Sequence, residues 1–192
     1  GTSSTLNLNG YTATFGKAGT ASTITMNSTS AIKGSSTSSL IILGTGAAGT
    51  IRFDQTTPGT TNVLQNLTIN RTSTGTVTLG NALTLGGNLT LTDGTLTVGG
   101  NTLTYAGSSI ARTSGVIDAS NANATLAFTN TSALTLPASL FSGNVNNLTM
   151  NGAGGVTLGS ATTVAGVLNL SSGDIITSST NTLTLSSTAS IT

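Results

Sequence analysis

Four residue types are missing from this chain: none of its 192 residues is histidine, cysteine, tryptophan or glutamate. Histidine and cysteine are the common zinc ligands, so their absence argues against a zinc site. The absence of cysteine also excludes disulfide bonds and thiolate nucleophiles. The lack of cysteine also suits an exported bacterial protein that avoids oxidative folding. The composition therefore predicts neither a metal nor another cofactor.

Charge is scarce as well. Charged residues make up 5% of the chain and the net charge is +1, whereas about 25% charged residues is typical of soluble domains. The cations are scattered along the sequence, at Lys17, Lys33, Arg52, Arg71 and Arg112. Without a basic patch we expect no nucleic-acid partner. No apolar run approaches the ~18 residues of a membrane-spanning helix, so we expect no membrane insertion.

Serine and threonine make up about a third of the chain, together with many glycines and asparagines. Disordered chains combine high net charge with few β-branched residues, and this chain has the opposite composition. It therefore has the means to fold. The sequence begins at Gly1 without a signal peptide, which predicts a mature chain or an excised fragment.

A super-repeat of roughly 80 residues is the strongest signal in the sequence. The segment Leu67-Thr-Ile-Asn recurs as Leu148-Thr-Met-Asn, and Val77-Thr-Leu-Gly recurs at nearly the same offset as Val156-Thr-Leu-Gly. A third copy opens the chain, where Leu6 to Phe15 matches Leu96 to Tyr105. We expect one continuous domain over 1–192, with copies at about 1–57, 58–136 and 137–192, the outer two partial.

A finer period lies inside the super-repeat. Equivalent strands start at Val77, Leu96, Val116, Leu134 and Val156. These starts are spaced by about 20 residues, within the range of solenoid repeats. The spacing predicts about four coils per super-repeat and nine or ten in all, stacked into a rod about 45 Å long.

Each coil contains short alternating segments separated by turn residues. Thr95–Val98 and Thr102–Tyr105 alternate polar with apolar side chains, and Gly99-Gly100 lies between them. Period-two alternation indicates half-buried strands, and no segment has helical periodicity. The predicted fold is all-β, a parallel β-solenoid with three short strands per coil. A barrel or sandwich of hairpins is the competing architecture.

The aromatic side chains are predicted to lie in the core rather than on a ligand-binding surface. Phe15, Tyr105 and Leu185 occupy the same position of the super-repeat, and Phe53 and Phe128 end two matching strands. Leu89 is assigned to the same inward column.

The acidic residues offer little for catalysis. They are Asp54, Asp93, Asp118 and Asp174, and none coincides with another across the super-repeat. Asp93 and Asp174 stand beside glycines and are predicted to be turn residues. Arg52 and Asp54 should share one face of a strand, as a surface ion pair or, alternatively, as part of a polysaccharide-cleaving site. Serine has no base to activate it. We therefore expect no enzyme and no catalytic, cofactor-binding or metal-binding residue.

Two recurring polar motifs have alternative interpretations. Stacked Thr-x-Thr pairs would make a flat hydroxyl array such as ice-binding solenoids use, but outward threonine also simply suits β-strands. These pairs are Thr12/Thr14, Thr23/Thr25, Thr76/Thr78, Thr90/Thr92, Thr95/Thr97, Thr102/Thr104 and Thr182/Thr184. They fall on several predicted faces, which favours the second interpretation. The triplets beginning at Asn66 and Asn147 are interpreted as turn and strand chemistry rather than glycosylation sites.

The runs Leu89–Val98 and Gly99–Tyr105 resemble the β-strand repeats of very large secreted bacterial surface proteins, including filamentous-haemagglutinin-like adhesins. The resemblance implies a right-handed β-helix, a cell-surface location and an adhesive or scaffolding role. We recognise no capping segment at either end of the repeat pattern. The expected function is therefore a structural segment of an extracellular fibre, stacked end to end with copies of itself or continued in a longer array, with surface polysaccharide as a further candidate partner. An ice- or glycan-binding module is the alternative.

Overall fold

The computed structural model describes residues 4–72 and 74–192. Within these residues the chain forms short β-strands and no helix, as the sequence predicts. The strands are β1 (Thr5–Asn7), β2 (Thr12–Phe15), β3 (Ala31–Lys33), β4 (Ser39–Thr45), β5 (Gly49–Ile51), β6 (Val63–Leu64), β7 (Asn66–Thr72), β8 (Thr76–Leu79), β9 (Leu83–Leu85), β10 (Asn88–Asp93), β11 (Thr95–Thr97), β12 (Thr102–Tyr105), β13 (Ser109–Arg112), β14 (Val116–Asp118), β15 (Thr125–Phe128), β16 (Leu134–Thr135), β17 (Asn147–Asn151), β18 (Val156–Thr157), β19 (Thr162–Val164), β20 (Val167–Ser172), β21 (Ile175–Ile176), β22 (Leu183–Leu185) and β23 (Ser190–Ile191).

The strands pair in parallel, so successive coils stack on one another rather than folding back as hairpins. The parallel β-solenoid is confirmed, and the hairpin-built barrel or sandwich is wrong. The three longest sheets have the orders β2-β4-β7-β10-β13, β5-β8-β11-β14 and β6-β9-β12-β15-β17-β20-β23.

These sheets form three faces that the chain visits in turn. The first face continues beyond β13 through β16, β18 and β21. The second continues beyond β14 through residues 141–145 to β19 and β22, because Phe141 pairs with Ile117 and Val145 pairs with Val164. The third face carries β1 and β3 at its N-terminal end, where Ile32 pairs with Phe53.

The coils are slightly longer than the sequence suggests. The structure has about eight coils at a spacing of ~22 residues. Ser39 and Asn66 pair in register although they lie 27 residues apart, because the loop of residues 54–62 leaves that coil. The predicted period is thus close to the observed spacing, but nine or ten coils are too many, and the rod is about 38 Å long.

Alternation along each strand builds one dry column inside the coils. Leu89 and Leu91 of β10 are completely buried and Thr90 between them is half-buried. Tyr105 and Phe128 are each 1% exposed and stack edge to face, with ring centroids 6.3 Å apart. Each buried large side chain contributes roughly 1.5–3 kcal/mol. The sequence prediction of aromatic core residues holds for these two rings and for Phe53, whereas Phe15 is only partly buried against the core.

The super-repeat does not fit a whole number of coils. Its three copies place the matching strands β2, β12 and β22 on the first, third and second faces. Counting faces along the chain, each copy advances three and two-thirds coils rather than the predicted four. Equivalent segments therefore step back by one face per copy, and β7 and β10 on the first face recur as β17 and β20 on the third.

Candidate functional site

A polar groove of about 370 Å³ opens on the third face, near its N-terminal end. Its floor is set by the pairing of Ile32 with Phe53. Phe53 points inward and is 1% exposed, so strand alternation turns Arg52 and Asp54 outward, toward the groove. Both residues line it, and they share a face as the sequence predicts. Other lining residues are Thr5, Ser30, Gln55, Thr56 and Asn81.

Arg52 lies across the backbone of the next coil. Its Nη1 donates to Gly80 O at 3.0 Å, and a Cβ on Gly80 would stand 2.7 Å from Arg52 Cγ. The Nε atom is buried and has no hydrogen-bond partner. Arg52 is therefore held by one carbonyl and by the space that glycine leaves.

Asp54 is held by its own loop. Its two carboxylate oxygens accept hydrogen bonds from Thr56 N and Thr56 Oγ1, both at 2.9 Å, and it is only 9% exposed. The described residues contain no ion pair between Arg52 and Asp54, so the predicted surface ion pair is wrong. The reason is that the loop turns the carboxylate toward Thr56, while the guanidinium follows Gly80.

The loop of residues 54–62 is fixed by internal and inter-coil hydrogen bonds. Thr61 Oγ1 donates to Asp54 O at 2.9 Å and Gly59 N donates to Asn62 Oδ1 at 2.7 Å. Gln55 Nε2 reaches the following coil at Ala82 O, 2.8 Å away. These hydrogen bonds hold the loop of residues 54–62 in one conformation, so this wall of the groove is ordered.

The remaining carboxylates lie apart from the groove, Asp93 and Asp118 at the ends of β10 and β14 and Asp174 just before β21. Asp93 Oδ1 accepts from Gly94 N at 2.8 Å, and Asp118 Oδ1 accepts from Ser120 N and Oγ. Asp174 follows Gly173, which has a φ of 77°. In the part of the chain that is described, no three potential metal ligands converge. Asp93 is the last residue of β10 rather than a turn residue, and its carboxylate accepts from Gly94 at the bend that follows.

Arg71 is one of the five scattered cations, to which no structural role is assigned from the sequence. It is fully buried on β7. Its guanidinium donates to four carbonyl oxygens and one hydroxyl at 2.6–3.1 Å, namely Ser22 O and Oγ, Leu43 O, Thr45 O and Gly46 O. Burial lowers its pKa from the ordinary arginine value. The sequence does contain a signal for this burial, because Arg71 follows Leu67 and Ile69 at alternate positions of the strand and therefore points inward.

The Thr-x-Thr pairs are spread over all three faces. Thr12/Thr14 lie on the first face and Thr102/Thr104 on the third. On the second face Thr76/Thr78 stack directly on Thr95/Thr97, but the next rung presents Val116 and Asp118. Stacked Thr-x-Thr pairs on this face therefore extend over two neighbouring coils only. This agrees with the expectation that the pairs fall on several faces rather than on one.

The amides of Asn66 and Asn147 are used between coils. Asn66 Oδ1 accepts from Asn88 N at 2.9 Å, and Asn147 Oδ1 accepts from Val167 N at 2.9 Å. Their Nδ2 atoms donate to Ser39 Oγ and to Ala124 O, at 3.1 and 3.0 Å. Both asparagines therefore form hydrogen bonds between coils at the start of a strand, in keeping with the turn and strand role that the sequence predicts for them.

Within the described residues, no helix has the length and apolarity needed to cross a membrane. Comparison with protein-family models, with curated proteins and with solved structures finds no match for this chain.

Proposed function

We propose that this chain is a non-catalytic structural segment of an extracellular bacterial fibre, as the stalk of a surface adhesin or the subunit of a filament or sheath. The stepped super-repeat is the observation that carries this proposal. Each copy steps back by one face, so a longer array would return to its starting face after three copies and eleven coils, about 53 Å. Such a surface is uniform around the rod, which suits a spacer better than a one-sided binding plane.

The core supports the same role. Parallel coils share their ladder bonds and apolar contacts with both neighbours, so stability accumulates along the axis without charge pairs. At the two terminal coils Leu6, Leu170, Ile176 and Ile191 are 46–59% exposed. In the proposed fibre these side chains are covered by the adjoining coil, supplied by the same chain or by another subunit.

Imaging the native material tests the proposal. Antibodies raised against the folded chain should label thin surface rods or filaments by electron microscopy on cells that produce the protein. Labelling confined to the cytoplasm, or to dispersed secreted protein without rods, would contradict it. A variant with Leu170→Lys and Ile191→Lys tests the covering of the terminal coil, because in either fibre model it places two charges against the adjoining coil and should shorten or destabilise the rods.

A further inference from the structure

The groove contains an arginine whose hydrogen-bonding capacity is largely unused. The three arginines of the chain provide an internal comparison. Arg71 donates five hydrogen bonds and Arg112 donates three, to Gly115 O, Ala138 O and Ser114 O. Arg52 donates one, to Gly80 O. A guanidinium has five N–H donors, so Arg52 retains the capacity to bind a ligand.

The free donors of Arg52 lie on one edge of the guanidinium. Nη1 is engaged, Nε is buried without a partner, and Nη2 makes no hydrogen bond within the described residues. An unpaired buried donor is unfavourable, and a charged one especially so. An anionic oxygen in the groove would accept from Nη2 and place negative charge beside the uncompensated cation.

Among the described residues, the one carboxylate lining the groove does not fill this role. Asp54 directs both oxygens to Thr56. Lys33, on the rung that pairs with this segment, stands next to Ile32 on the outward side. Asp54 keeps its negative charge, but the two cations Arg52 and Lys33 outnumber it and only Arg52 retains free donors in the groove, which favours an anionic ligand.

The rest of the groove favours a hydroxylated ligand. Its walls present the hydroxyls of Thr5, Ser30 and Thr56. Phe53, the aromatic residue in the lining, is 1% exposed and offers no surface for an apolar peptide side chain. A carboxylated sugar matches this combination of hydroxyl partners and a free cation better than an acidic peptide does.

The groove also lies where the solenoid departs from its repeat. The loop of residues 54–62 belongs to a coil of 27 residues, as long as the coil before it and longer than the coils of 21 and 22 residues that follow on this sheet. In repeat proteins such insertions project from one face, which is often the binding face. We propose that the groove binds a uronic-acid unit of an acidic polysaccharide, with Arg52 Nη2 donating to the sugar carboxylate. This inference does not depend on the fibre proposal.

A galacturonic acid tetramer is a suitable probe. Titration followed by amide chemical shifts and calorimetry should give saturable binding, with shifts concentrated at Ser30, Gln55 and Thr56. Arg52→Gln should weaken binding by roughly tenfold or more, as expected for loss of a charge-assisted hydrogen bond. Arg112→Gln is the matched control and should leave affinity unchanged.

Three further arms make the result decisive. The methyl-esterified tetramer should bind at least about tenfold more weakly than the acid, and Arg52→Lys should keep part of the affinity because it keeps the charge. A tetraglutamate peptide should bind more weakly than the sugar acid. Absence of saturable binding, equal binding of ester and acid, or stronger binding of the peptide would each overturn the assignment. Melting curves verify the fold of both Arg52 variants, and the ester comparison on the wild-type chain remains valid if either fails to fold.

Discussion

Replacing Leu89 by aspartate is the most direct test of the inward column. Leu89 is completely buried in β10 and stacks between Leu67 and Ile110. The substitution loses the burial of a leucine, roughly 1.5–3 kcal/mol. It also places a carboxylate in a dry interior, at an effective cost of several kcal/mol.

The combined loss, about 5 kcal/mol or more, is comparable with the whole stability of an ordinary domain. Because coils stabilise one another through their interfaces, damage at β10 also weakens the coils on either side. We therefore expect Leu89→Asp to abolish cooperative unfolding, and Leu89→Ala to lower the free energy of unfolding by about 2–5 kcal/mol.

Thr90→Asp is the matched control, because the same charge one residue further along points outward. Thr90 is half-buried and faces Thr68 in the neighbouring coil. Its substitution should change the free energy of unfolding by about 0.5 kcal/mol. Guanidinium denaturation followed by far-ultraviolet circular dichroism measures all three variants. Equal midpoints for Leu89→Asp and Thr90→Asp would refute the assignment of inward and outward positions.

Three other substitutions test separate contacts. Gly107→Ala should lower the melting temperature by several degrees, because its Cβ would collide with Gly87 O in the adjacent coil; an unchanged melting curve would contradict this close stacking. Burial raises the pKa of the Tyr105 hydroxyl, so its contribution to stability is complete below pH ~10 and is lost as the pH rises through the folded-state pKa. Denaturation curves should therefore show alkaline destabilisation that is smaller in Tyr105→Phe, and identical pH profiles would count against it. Arg71→Met should destabilise the protein by about 3–5 kcal/mol and expose residues 16–24 to proteolysis, since it removes five hydrogen bonds from a buried site; resistance to protease equal to wild type would contradict this role of Arg71.

The sequence predicts those features that depend on neighbouring residues along the chain. Alternation in Thr95–Thr97 and Thr102–Tyr105 correctly identifies strands and their buried sides. Repetition identifies stacking, because identical short strands that recur at a coil length can pair in parallel. The coil length itself is slightly underestimated, since loop residues such as 54–62 add to a coil without altering the strand pattern.

The candidate site depends on contacts between coils, and these do not follow from local pattern. The single hydrogen bond of Arg52 goes to Gly80, 28 residues away. The carbonyls around Arg71 come from the coil 25–28 residues earlier and from Ser22, 49 residues away. Which arginine is saturated and which retains free donors therefore depends on the separate length of each coil, which no local pattern specifies.

The stepped super-repeat also explains how one sequence unit can serve on three faces. Asn66 on the first face and Asn147 on the third both accept a backbone N–H from the next coil. Gly87 and Gly166 lie against these amides, because a Cβ on either glycine would approach the asparagine Oδ1 within 3.0 Å. The same asparagine and glycine contacts thus form on either face. A duplicated sequence unit can therefore fold on whichever face of the solenoid it occupies. Duplication of such units lengthens the rod without requiring a new face, whereas the Arg52 groove includes residues of the loop 54–62, which lies outside the repeated strand pattern.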